Sequence, residues 1–303
     1  MTSLPVWTIL GDARRQTAQA GRALWVMWVA YTLLAVVVAA ATVASMGQHF
    51  GRSLSAGPLS LELDPAAVAE WIFANRGEPA WQLIWAVAAG LLVLLPVAVF
   101  LSGGALGQLS SRAGFLEGGG RYFWRFLRLT VMAGVLHATA LAALAAVHRA
   151  VERAFADSLV ERPVVLTSEA IDGLVVLTVW LIAGAMDYAK VRIVVDEERS
   201  ALSAGFAGLW FVARHPLRAL GPLAFVALCG VVLFAFYQTA YNVFDYRGMR
   251  TILISMAGQQ FYLGLRIWLR LWQWATCMRV DQAVRRPSSP WAISEPEPYG
   301  DNI

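Results

Sequence analysis

Apolar residues fall in six continuous stretches, 24–46, 81–102, 129–147, 171–189, 220–241 and 261–278, separated by segments rich in arginine, glycine, proline and acidic residues. Each stretch has about the 20 residues that an α-helix needs to cross a hydrocarbon core of roughly 30 Å. None shows the apolar–polar alternation of a barrel strand, so a β-barrel is excluded. Lipid offers no partner for an unpaired amide, which leaves the helix as the open spanning element. The expected fold is all-α: a polytopic membrane bundle of six transmembrane helices. It forms a domain over 1–285, followed by a disordered proline-rich tail over 286–303.

Local signals place shorter elements between the spans. Ser200 is a good N-cap for a helix that ends at His215-Pro216, because proline disfavours a helical residue before it. Phe206, Leu209, Trp210, Val212 and Ala213 give this helix an apolar side, so it is expected to lie in the membrane interface. Residues 113–128 read as a second interfacial segment, with Phe115, Leu116, Tyr122, Phe123, Trp124 and Phe126 among Arg121, Arg125 and Arg128. Glu117-Gly118-Gly119-Gly120 reads as a flexible elbow, with a lipid-phosphate cradle as the alternative. Gly103, Gly104 and Gly107 mark a close-approach face, and Pro96 a kink. Asp64-Pro65 starts a further helix that Gly77 can end. The first apolar stretch exceeds the 7–15 residues of a cleavable signal and reads as an uncleaved anchor.

The six stretches group into three hairpins, each entered through an aromatic, basic helix start: Gly21-Arg22-Ala23-Leu24-Trp25, Gly120-Arg121-Tyr122-Phe123-Trp124 and Ala207-Gly208-Leu209-Trp210-Phe211. The returning spans of the second and third hairpins align at Asp187-Tyr188-Ala189 and Gln273-Trp274-Ala275. Hairpin duplication of this kind suits a membrane bundle.

Composition reinforces the membrane reading. The 303 residues are 58% hydrophobic and 15% charged, against about 25% charge in a soluble domain, and the mean hydropathy is +0.58. A net charge of +4 could suggest nucleic acid. Position explains it better: with the N-terminus inside, seventeen of the 24 Lys and Arg residues fall on the cytoplasmic side when the two arginines within the last stretch are counted with its cytoplasmic end. Both termini are therefore expected in the cytoplasm, and no nucleic-acid partner is expected. Trp25, Trp28, Trp124 and Trp210 fit the aromatic belt of the same boundary.

Ionisable groups inside spans are costly and so become candidates for function. Arg266, Arg270 and Gln273 share one face of the sixth stretch by their i, i+4, i+7 spacing, and the alignment puts the two arginines well inside the membrane. Asp187 is the expected ion-pair partner of Arg270, with His137 as a second polar neighbour. The set either fixes helix register or lines a binding or transport pathway. Arg121, Arg125, Arg128, Trp124 and Trp210 are candidates for contact with lipid headgroups. Hydrolytic, metal or haem chemistry lacks its residues: HExxH, CxxC and GxSxG are missing, four histidines are scattered, and no span holds two acidic residues close together. No cofactor or metal and no enzymatic activity are expected. Cys229 and Cys277 read as filler.

Gly103-Gly104, the stretch from Gly120 to Leu129, and Asp187-Tyr188-Ala189-Lys190-Val191-Arg192 followed by Ser200-Ala201 resemble a family of uncharacterised six-span bacterial inner-membrane proteins. The layout is more distantly similar to the membrane portion of bacterial glycerophosphodiester phosphodiesterases, whose catalytic domain has no counterpart here. The resemblance implies a non-catalytic module that binds membrane lipids, or anchors a membrane-protein partner or a homo-oligomer. The alternative is a permease subunit energised by a separate ATPase, and an accessory subunit of an energy-converting complex is a third reading.

Overall fold

The computed structural model describes residues 6–50, 79–155, 161–243 and 249–285. Among the described residues there is no strand. There are eight helices: α1 (Val6–Gln19), α2 (Gly21–Phe50), α3 (Pro79–Leu109), α4 (Phe115–Ala154), α5 (Glu161–Val195), α6 (Ala201–Arg214), α7 (Pro216–Val243) and α8 (Met249–Arg285). Each of the six apolar stretches falls inside one helix. Five helices, α2 to α5 and α7, are long and apolar enough to cross a membrane, which makes the chain an α-helical bundle of the membrane type. The sixth stretch lies in α8, where Arg266, Arg270 and Gln273 dilute the apolar run. The helix expected from Asp64 and the tail over 286–303 lie outside the described residues.

Capping and proline set the boundaries of α6. Ser200 Oγ accepts the Ser203 amide at 3.2 Å, His215 closes the helix, and Pro216 opens α7. The expected interfacial segment at 113–128 is not a separate helix. It is the first part of the 40-residue α4, which extends for about 60 Å at 1.5 Å per residue. The glycine elbow is corrected with it: Gly118, Gly119 and Gly120 are helical, and two of them serve contact. A Cβ on Gly118 would stand 3.0 Å from the Gly103 carbonyl oxygen, and one on Gly104 would stand 2.5 Å from the Phe115 carbonyl oxygen. α3 and α4 therefore meet backbone to backbone, as small residues allow in membrane bundles. The close-approach face expected at Gly103, Gly104 and Gly107 is present. α3 continues as a helix through Pro96.

Burial is concentrated at one end of the bundle, the basal end, which carries α1. Among the described side chains, the buried ones of α2 are Ala23 and Met27; those of α3 run from Val99, those of α4 stop at Leu129, and those of α7 span Ala219 to Val226. Nearly every residue of α5 from Ala185 to Val194 is buried, as is every residue of α8 from Leu271 to Asp281 except Gln273 and Arg279. α1 lies against the end of α8, where the Trp272 indole donates to the Leu10 carbonyl at 3.1 Å and Gln16 bonds the Leu109 carbonyl at 2.7 Å. α6 meets α5 at Gly208, beside Ala185 and Ala189, and α4 at Gly205, beside Met132 and Leu129; its small residues Ala201, Ala204, Gly205 and Gly208 are buried, and Leu202, Phe206 and Trp210 face out. Of the apolar side read from the sequence, Phe206 and Trp210 are exposed, whereas Val212 is buried. Towards the distal end the helices expose Val36, Leu92, Val135, Val176, Val232 and Phe236. Apolar surface on this scale requires an apolar surrounding.

Candidate functional site: a buried carboxylate beside an apolar cavity

Asp187 sits in the buried segment of α5 and is fully shielded from solvent. A lone carboxylate there would be costly, and four donors answer it. Arg270 grips it with both arms of its guanidinium, Nη1 to Oδ2 at 2.8 Å and Nη2 to Oδ1 at 2.9 Å. The planar fork matches carboxylate geometry, the stronger form of charged hydrogen bond. The Gln273 amide donates to Oδ2 at 2.9 Å and the Trp274 indole to Oδ1 at 3.1 Å. Lys190, one turn along α5, approaches Oδ1 at 3.7 Å. Arg270 also lies over the Trp274 ring, 4.9 Å from its centroid, a cation–π contact.

The expected Arg270–Asp187 pair is thus present, with Gln273 as a third member. Trp274 and Lys190 join them and were not singled out from the sequence. Their signals were an indole next to Gln273 and a lysine three residues after Asp187. His137 does not join. Its ring nitrogens face the Ala133 carbonyl at 2.7 Å and the Val179 carbonyl at 3.3 Å, about 12 Å along α5 from Asp187. His137 ties α4 to α5 instead.

Beside this cluster lies a cavity of about 960 Å³, walled by α2, α3, α4, α5, α7 and α8. Its basic lining residues are Lys190, Arg266 and Arg270, and no acidic residue lines it; Asp187 stands behind Arg270 and Trp274. Most of the remaining lining is apolar, including Leu95, Val99, Val226, Val231, Phe234 and Leu263, with Tyr31, Ser102, Thr130 and Gln273 as polar groups. The Ser102 and Thr130 hydroxyls donate to the Ala98 and Phe126 carbonyls of their own helices. Arg266 is exposed and, among the described residues, has no hydrogen-bond or ion-pair partner.

Arg266 and Arg270 face the same cavity as Phe126 and Thr130, one or two turns from the exposed Trp124. Trp25 and Trp28 border a groove with Gly264, Leu265 and Trp268. The arginines therefore stand level with the exposed tryptophans rather than at mid-length of the apolar helices.

A second charged layer ties the ends of α5 and α8. Asp281 pairs with Arg192 at 3.7 Å and with Arg285, which also reaches Asp196. Burial raises the Asp281 carboxyl above the usual carboxylate range, against the opposing pull of Arg285 and Arg192. Two of the headgroup candidates are engaged here. Arg121 pairs with Glu197 at 2.9 Å, and Arg125 donates to the Glu198 carbonyl at 3.4 Å, so both hold the turn between α5 and α6. Arg128, Trp124 and Trp210 are exposed. Cys277 is buried and Cys229 half-buried, both as free thiols. Among the described residues no group of acidic, histidine and cysteine side chains could hold a metal.

Comparison with known protein families, curated proteins and solved structures finds no match.

Proposed function

We propose that this chain is a non-catalytic, six-span module of the bacterial cytoplasmic membrane that holds a membrane lipid between its helices. The cavity carries this reading. It has the size of a ligand site, its walls are largely apolar, and its polar groups gather at one level. α8 serves as the sixth span. Its polar residues face Asp187 and the cavity, which offsets the cost of placing them in a membrane. α2–α3, α4–α5 and α7–α8 form three hairpins. The contact between Asp187 and Gln273, positions equivalent in the alignment, supports duplication. The distribution of Lys and Arg supports cytoplasmic termini and a cytoplasmic basal end. The resemblance to six-span bacterial inner-membrane proteins agrees with this layout. The exposed distal faces then meet lipid, a second copy or a membrane-protein partner.

The test is native mass spectrometry of the full chain purified in mild detergent. Retained phospholipid, and a rise in melting temperature when lipid is restored after stripping, are expected. A chain that retains no lipid and gains no stability from any added lipid would overturn the reading. A stoichiometric ATPase in the same preparation would replace it with the permease.

A further inference from the structure

We infer that the cavity selects an acidic amphiphile, whose anionic group is held by Arg266 and whose alkyl chain lies along the walls of α3 and α7. This rests on the lipid-binding reading above and adds the class of ligand. Three basic side chains line the cavity, and among the described residues the carboxylate near them, Asp187, is shared by Arg270 and Lys190. Two positive charges are therefore in excess. Arg266 is the cation whose charge is unanswered among the described residues.

A guanidinium facing apolar walls gains most from an anion that excludes water with it. Tyr31 lines the same space and brings a hydroxyl donor. The walls argue for an attached chain rather than a free ion. Leu95 on α3, and Val231 and Phe234 on α7, line the cavity and remain exposed. α3 and α7 form no extensive interface with each other, so a chain can leave sideways between them. Trp25 and Trp124 mark the same level as Arg266, which is where a lipid presents its headgroup.

The test uses the lipid-stripped full chain and compares phosphatidylglycerol with phosphatidylcholine of identical acyl chains, by native mass spectrometry and thermal shift. The wild type is expected to bind phosphatidylglycerol about tenfold or more tighter, because phosphatidylcholine balances its phosphate with its own ammonium and so brings no net negative charge to the basic side chains. Arg266→Gln should lose most of that preference and still bind phosphatidylcholine, and Arg266→Lys should keep part of it. Equal binding of the two lipids by the wild type would sink this inference and leave the lipid-binding reading intact. Binding of neither lipid would remove both. A preference undiminished in Arg266→Gln would show that another group reads the charge. Displacement of phosphatidylglycerol by millimolar inorganic phosphate would show a site for soluble anions instead.

Discussion

Removing the Asp187 carboxylate is the most direct perturbation of the basal end. Asp187→Asn keeps the side-chain shape but leaves Arg270 and Lys190 without their counter-ion and turns an amide nitrogen towards groups that are themselves donors. Loss of one partner from a buried ion pair costs about 3–5 kcal/mol. The Arg270 side chain retains 38% of its exposure, so water reclaims part of its charge and the lower end, about 3 kcal/mol, applies. At roughly 2–4 °C per kcal/mol, the melting temperature should fall by about 6–12 °C. Cys277, fully buried, provides the readout: in a Cys229→Ala background a thiol-reactive fluorophore reports opening of the basal end as the protein is heated. Arg270→Gln and the double variant complete a cycle. Because the two residues bond directly, the double variant should be less damaged than the sum of the singles, by about 1 kcal/mol or more. Additivity within about 0.5 kcal/mol would refute the claim that the pair acts as a unit.

Two further outcomes follow from backbone contacts and capping. A Cβ on Gly208 would collide with the Ala185 carbonyl, whereas one on Gly134 meets nothing within 4 Å. Gly208→Ala should therefore cost about 1–3 kcal/mol and Gly134→Ala should stabilise by up to about 1 kcal/mol; the same thermal assay checks both, and equal shifts would contradict the α5–α6 contact. Ser200→Ala removes the cap of α6 and should cost about 1 kcal/mol, while Ser200→Asp should restore most of it; an unchanged melting temperature in Ser200→Ala would show that tertiary contacts alone hold the helix start.

The helices were legible because each follows from local chemistry. Runs of about 20 apolar residues leave the backbone no alternative to helix in lipid, and Ser200 with His215-Pro216 sets the ends of α6 through a side-chain cap and a missing amide. The Arg270–Asp187–Gln273 cluster was legible too. Charges rare in apolar runs must find one another, and helical spacing put Arg270 and Gln273 on one face.

Tertiary structure decided what spacing could not. Gly118 and Gly119 read locally as an elbow, since glycine weakens a helix. Only the approach of Gly103, Gly104 and Gly107 from α3 makes their missing side chains the reason that α4 continues through them. His137 and Asp187 are compatible with contact in the sequence, but the rise along α5 separates them by about 12 Å. Arg121 and Arg125 are basic residues at a membrane edge by sequence, and the Glu197 carboxylate and the Glu198 carbonyl tie them to the turn between α5 and α6. Which face of α6 packs inward was not legible either, because α4 and α5 receive Gly205 and Gly208 and leave Phe206 and Trp210 outside. Above all, the cavity exists because six helices close together only at their basal ends, a property of their mutual angles that no single segment encodes.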